Sequence, residues 1–138
     1  MLDTILDSFR KHPSLTLIEE GINRDRCVSV HGMGGSSGAF LAAAMLGGWE
    51  NGNPKRSVLV ICPEEDEAEI FRDDIEAVLG SDEVKFFPER DTNPYEHADS
   101  HFEVRSQRVE TIDSLERNWQ GVIIAGIGAL HDPTAPAG

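Results

Sequence analysis

Basic residues are scarce in this chain. Twelve lysines and arginines stand against 25 aspartates and glutamates in 138 residues, a net charge of −13. A surface that wraps a phosphate backbone needs clustered cations, so this balance argues against strong nucleic-acid binding by the segment itself. Cysteine is equally sparse. Cys27 and Cys62 each lie in a short apolar, strand-like run. Both read as small core residues and not as disulfide partners or metal ligands. No apolar run approaches the length of a membrane span. The opening residues 1–7 lack the basic leader and long apolar stretch of a secretory signal. The expectation is a cytoplasmic protein with no membrane partner.

The composition that remains is that of a folded domain. Hydrophobic residues make up 39% and charged residues 27%, and the length suits one ordinary domain. A helix is predicted from Asp3, as its cap, to about Lys11, with Ile5, Leu6 and Phe9 on one face; His12 and Pro13 end it. Residues 15–18 are apolar and of uncertain type, and residues 19–26 are polar and turn-like. Residues 27–30 read as the first strand. Residues 38–46 form an alanine-rich helix stopped by Gly47 and Gly48.

Residues 57–62 are a continuous apolar run closed by Pro63, as in a buried parallel strand. Residues 64–79 alternate as an amphipathic helix burying Ala68, Phe71, Ile75 and Val78, with Glu64, Glu65, Asp66 and Glu67 at its positive end. Residues 84–87 are a short strand closed by Pro88. A polar loop follows over 89–101. Residues 102–118 are a long helix with Val104, Arg108, Ile112 and Leu115 in line, residues 121–125 a buried strand, and residues 127–130 a helical turn. The resulting βαβαβαβ order predicts a parallel sheet covered on both faces. Ligands of such sheets bind at the carboxyl ends of the strands. The turns after residues 30, 62, 87 and 125 would share that edge.

The most informative stretch is His31-Gly-Met-Gly-Gly-Ser-Ser-Gly38. Strand, glycine-rich turn and helix is the layout of a phosphate-binding loop. Such a loop needs a lysine beside Ser/Thr at the helix start. Here Ser36 and Ser37 hold that place, and no lysine or arginine occurs from His31 to Asn53. Gly32, Gly34, Gly35, Ser36 and Ser37 are therefore the candidate nucleotide-binding residues of a degenerate loop. Backbone N–H groups at a helix start attract phosphate. Without the lysine the β- and γ-phosphates lose their cation, and no acidic strand end stands ready to hold magnesium.

Other candidates are weaker. His97 and His101 are four apart, the spacing of a zinc pair on one helix face, but Asp99 and Ser100 break up the segment. They read as exposed loop histidines, as does His31. Asp91, Glu96, Asp99 and Glu103 read as a solvated acidic face, so no metal site and no catalytic residue is expected. Arg105 and Arg108 are expected to pair with nearby carboxylates. Pro88 and Pro94 stiffen their loop. Trp49 and Trp119 read as packing at the sheet rim or as part of an interface.

Three segments in order carry a family resemblance. They are the lysine-less glycine turn, then Phe86-Phe-Pro-Glu-Arg-Asp-Thr-Asn-Pro-Tyr-Glu96, then His101-Phe-Glu-Val-Arg-Ser-Gln-Arg-Val-Glu-Thr-Ile-Asp-Ser-Leu115, followed by residues 121–130 and a proline-bearing exit. This order resembles the N-terminal region of the bacterial transcription-repair coupling factor (Mfd) family, which is itself similar to the first domain of the excision-repair helicase UvrB. The resemblance runs from about Leu2 to Pro136. The FP-x-x-D-x-x-PY segment and the arginine-bearing helix after it are its most specific parts.

The resemblance implies a P-loop-NTPase-like α/β domain similar to UvrB domain 1a over residues 1–132, with residues 133–138 a linker. It implies a scaffold without catalysis of its own and without a cofactor. In the whole family protein an ATP-driven translocase displaces RNA polymerase stalled at a DNA lesion and recruits UvrA. The UvrA-contacting domain is expected after this segment. Polymerase, DNA, ATP and magnesium are expected to engage domains outside it. In UvrB the equivalent loop is intact and the neighbouring hairpin is rich in tyrosine. Tyr95 stands alone here, so no DNA-wedging hairpin is expected. Two other readings of the residues stay open: a small P-loop-type nucleotide-binding enzyme with an atypical loop, and an unrelated flavodoxin-like binding domain that shares the βα alternation.

Overall fold

Pro13 does more than end the first helix. In the computed structural model, which describes residues 2–46, 57–90 and 98–131 and the side chains of 4–46, 57–90 and 102–131, it opens a second one. Helix α1 spans Leu2–Arg10 and α2 spans Pro13–Asp25. His12 is the N-cap of α2, its Nδ1 accepting from the Ser14 N–H at 3.2 Å, and Pro13 takes the first turn, where a missing N–H costs nothing. The polar stretch 19–26 is therefore helical to Asp25 and not a turn.

Residues 27–30 form no strand. They run extended beside α2, where Val28 fills the space a side chain at Gly21 would need. Cys27 is exposed, against the expectation of a core residue. Helix α3 then spans Ser37–Leu46 and buries Ala39, Ala42, Ala43, Ala44 and Leu46. Its small side chains let it lie close against its neighbours. The expected stop at Gly47 and Gly48, and Trp49, fall outside the described residues.

The remaining elements alternate as expected: β1 (Val58–Cys62), α4 (Glu65–Leu79), β2 (Val84–Phe87), α5 (Ala98–Glu116), β3 (Val122–Gly126) and α6 (Ile127–His131). Among the described residues the sheet has three parallel strands in the order β1-β3-β2, not four. Val122 lies opposite both Val58 and Val84, and the ladders run to Cys62–Gly126 and Phe87–Ala125. The crossover β1–α4–β2 steps over β3 in one direction, and β2–α5–β3 returns in the other. Right-handed connections then put α4 and α5 on opposite faces.

Side-chain alternation sorts the core accordingly. Val58, Val60, Cys62, Val84, Phe86, Val122 and Ile124 face α3 and α4, with Leu6 of α1 and Leu15 of α2 in the same cluster. Cys62 packs in this core, and burial pushes its thiol pKa up, with Glu67 adding to the effect.

Phe87, Ile123 and Ala125 face the other way and pack with Ile112, Trp119 and Ala129. Trp119 thus packs at the sheet rim, one of its two expected places. Helix α5 lies over β2, and among the described residues this face of β1 is left largely uncovered. Leu59 and Ile61 are 54% and 50% exposed. An apolar cleft of about 410 Å³ opens beside them, bounded by Leu59, Ile123, Ile112, Leu115 and Leu130. The apolar run 57–62 is a parallel strand as expected, but it is buried on one face only.

Helix α5 begins at Ala98, four residues before its expected start, so Asp99 and Ser100 lie inside it. No helix among the described residues is long and apolar enough to cross a membrane. The expected linker 133–138 lies outside them.

Candidate functional site

The glycine turn is built as a helix entry. The Ser37 N–H and hydroxyl both donate to the Gly34 carbonyl, the former at 3.2 Å. The N–H groups of Ala39 and Phe40 close on Ser36 O at 3.0 and 3.2 Å. Gly32 has φ +80° and Gly35 φ +57°, the left-handed region that glycine enters without a Cβ clash. A Cβ at 32, 34 or 35 would meet nothing within 4 Å. The turn stands open to solvent, and His31 beside it is exposed. In a working phosphate loop the helix-start hydroxyl holds magnesium. Here the Ser37 hydroxyl donates to the turn's own Gly34 carbonyl. The turn also follows an unpaired extended segment and not a sheet strand.

The carboxyl edge of the sheet is formed by the ends of β1, β2 and β3, and there the chain is tightly knotted. Gly126 lies where a Cβ would sit 3.0 Å from Glu65 N and 3.2 Å from its Cα. Only glycine lets β3 end directly beneath the first turn of α4. A Cβ at Gly128 would run into the Glu89 carboxylate. The Glu89 N–H donates to Glu65 Oε1 at 3.0 Å, tying the exit of β2 to the start of α4.

Arg108 is the centre of this edge. It projects from α5, is 4% exposed, and its Nη1 donates to Pro88 O at 2.7 Å and Ala129 O at 3.2 Å. Its guanidinium lies 4.1 Å from the centre of the Phe87 ring. One buried cation thus joins α5, the end of β2 and α6. Its Nη1 donors go to main-chain carbonyls. Periodicity did place Arg108 on the buried stripe with Ile112. A charged residue at a core position was the signal. Arg105, three residues earlier, is exposed on the outer side of α5 beside Phe102, Val109 and Asp113.

Glu65 carries the edge's one raised carboxyl pKa among the described residues. Burial is the main cause; the Glu89 N–H bond opposes it, and the Glu89, Glu69 and Asp66 carboxylates reinforce it. A folded-state pKa above the unfolded value means the fold binds the proton more tightly. The contribution to stability is then full at low pH and lost as pH rises through the folded pKa. Glu65→Gln keeps an oxygen for the Glu89 N–H and removes the charge. We expect it to raise the thermal midpoint at pH 7, with the difference closing below about pH 4. A variant less stable than the parent at pH 7 would refute this account of Glu65.

No group of three or more His, Cys, Asp or Glu side chains poised to hold a metal occurs among the described residues. His97, Asp91, Glu96, Pro94 and Tyr95 lie outside them, as do the side chains of Asp99 and His101. Glu103 is exposed on α5. Comparisons with protein-family models, with curated proteins and with solved structures find no match to this chain.

Proposed function

We propose that this chain is the UvrB-like first segment of the N-terminal module of a bacterial transcription-repair coupling factor, serving as a scaffold without catalysis of its own. The observation that carries the proposal is the state of the glycine turn. It keeps the positive φ angles of an anion cradle at Gly32 and Gly35, yet the sequence offers no lysine or arginine from His31 to Asn53. The turn is then a vestigial phosphate loop of a P-loop-like domain. Two further features support a scaffold. Arg108, in the helix that carries the resemblance, locks the sheet edge from within. The bare face of β1 suits a domain that carries a neighbour. On this reading the neighbour recruits UvrA. Stalled polymerase, lesion-bearing DNA, ATP and magnesium are handled by the family protein's other domains, in the cytoplasm.

Two measurements test it. Millimolar ATP-Mg²⁺ is expected to leave the thermal midpoint of the chain unchanged. A site with a Kd a hundredfold below the ligand concentration would add about 2.7 kcal/mol, a rise on the order of 8 °C. In cells of the source organism, deleting the coding region is expected to slow lesion removal from transcribed strands alone. A clear ATP-dependent midpoint rise would overturn the vestigial loop, and equal repair rates on both strands would overturn the repair role.

A further inference from the structure

The two outer strands of the sheet meet different surroundings. Beyond β2 lies an open polar trough of about 470 Å³. Its floor is β2 itself, through Val84, Lys85 and Phe86. Helix α4 makes one wall, α5 the other, and the 3₁₀ turn Ser81–Glu83 closes one end. Among the described residues β2 pairs with β3 alone. A strand in that position presents a second row of N–H and C=O groups that its neighbour does not use.

The charges around the trough are unequal. Asp73, Glu76, Asp82 and Glu110 stand against Arg72 and Lys85. Both cations are already engaged. Arg72 Nη2 lies 3.4 Å from Asp73 Oδ1, and its guanidinium is 4.9 Å from the centre of the Phe86 ring. Lys85 Nζ lies 3.3 Å from Glu110 Oε1 and 5.2 Å from the centre of a Trp119 ring. Lysine on an edge strand ordinarily guards it against pairing. Here that charge is turned onto α5. Glu76 and Asp82 have no ion pair among the described residues and leave the trough negative.

We infer that this trough docks an extended basic segment of a partner protein, which joins the free edge of β2 as an added strand. Main-chain hydrogen bonds supply affinity in this mode, and alternate side chains supply selectivity. Every second residue of the incoming strand faces the α4 wall, where lysine or arginine meets Glu76. The four residues of β2 match about 13 Å of partner strand.

The probe is a fluorescein-labelled peptide, Gly-Lys-Val-Lys-Val-Lys-Val-Gly, followed by anisotropy at physiological salt. Its glutamate counterpart and a lysine version N-methylated at alternate amides are run beside it. The lysine peptide is expected to bind saturably and the glutamate peptide not to bind. N-methylation, which removes the ladder donors and needs no change in the protein, is expected to weaken binding at least tenfold. The double variant Glu76→Lys with Asp82→Lys is expected to do the same. Equal binding of the methylated and unmethylated lysine peptides would reduce the effect to general attraction toward an acidic protein and overturn the proposal. Absence of binding, or binding indifferent to the double variant, would overturn it as well.

Discussion

Arg108→Met is expected to cost about 3 kcal/mol of folding stability, a large share of what a domain of this size holds. Methionine keeps much of the packing against Phe87 and removes the donors. Pro88 O and Ala129 O, both served by Arg108 Nη1, then lose that bond in a place where the guanidinium itself is buried. Hydrogen bonds from a charged group contribute about 1.5–3 kcal/mol each, and a buried acceptor left unpaired adds its own penalty. Lysine is not expected to rescue the site. Its ammonium cannot hold two carbonyls in the fixed fork of a guanidinium while stacking on a ring. Urea unfolding checks this: the midpoint is expected to fall by about 1.5 M with an unchanged slope. A fall of less than about 0.3 M would show that Arg108 is not what holds the carboxyl edge.

Ile124→Ala and Leu59→Ala form the second test, because the two residues look alike in sequence. Each sits in the middle of an apolar strand run. Ile124 is 0% exposed in the central strand, and Leu59 is 54% exposed on an outer one. Truncating the first leaves a cavity between α4 and the sheet and is expected to cost about 3.5 kcal/mol. Truncating the second removes a side chain already half in water and is expected to cost under about 1 kcal/mol. Equal losses would mean that the uncovered face of β1 is covered in solution.

That contrast also marks how far the sequence could be read. The strand at 84–87 was legible to the residue, because Pro88 cannot continue a ladder and the short apolar run leaves no other register. The helix at 65–79 was legible from its period and its acidic first turn. Gly80, at its end, takes φ +88°. What one run cannot reveal is which strands flank it. Residues 57–62 and 121–125 are equally apolar, and only the order β1-β3-β2 makes one central and the other half bare.

The errors have local causes. Residues 27–30 alternate like a strand, but they pair with none of the described strands, and Val28 packs against Gly21 of α2 instead. Read from the sequence, Pro13 is a terminator, yet its fixed φ suits a helix start equally well. The polar residues after it hid a helix whose buried side chains are few. At the candidate site the glycines were legible by composition. Arg108 is visible on the buried stripe, and the structure buries it.

The central strand has a further consequence. β1 and β2 do not pair with each other, and β3, which joins them, comes last of the three in chain order. On the ribosome, β1, α4, β2 and α5 all emerge before a ladder hydrogen bond among the described strands can close. The helices can form early, because their contacts are local and fast. The sheet has to wait for residues 122–126 and then assembles around them in one late event. A nascent chain paused before that point carries two apolar strands with no partner, the condition in which a trigger-type chaperone has most to hold.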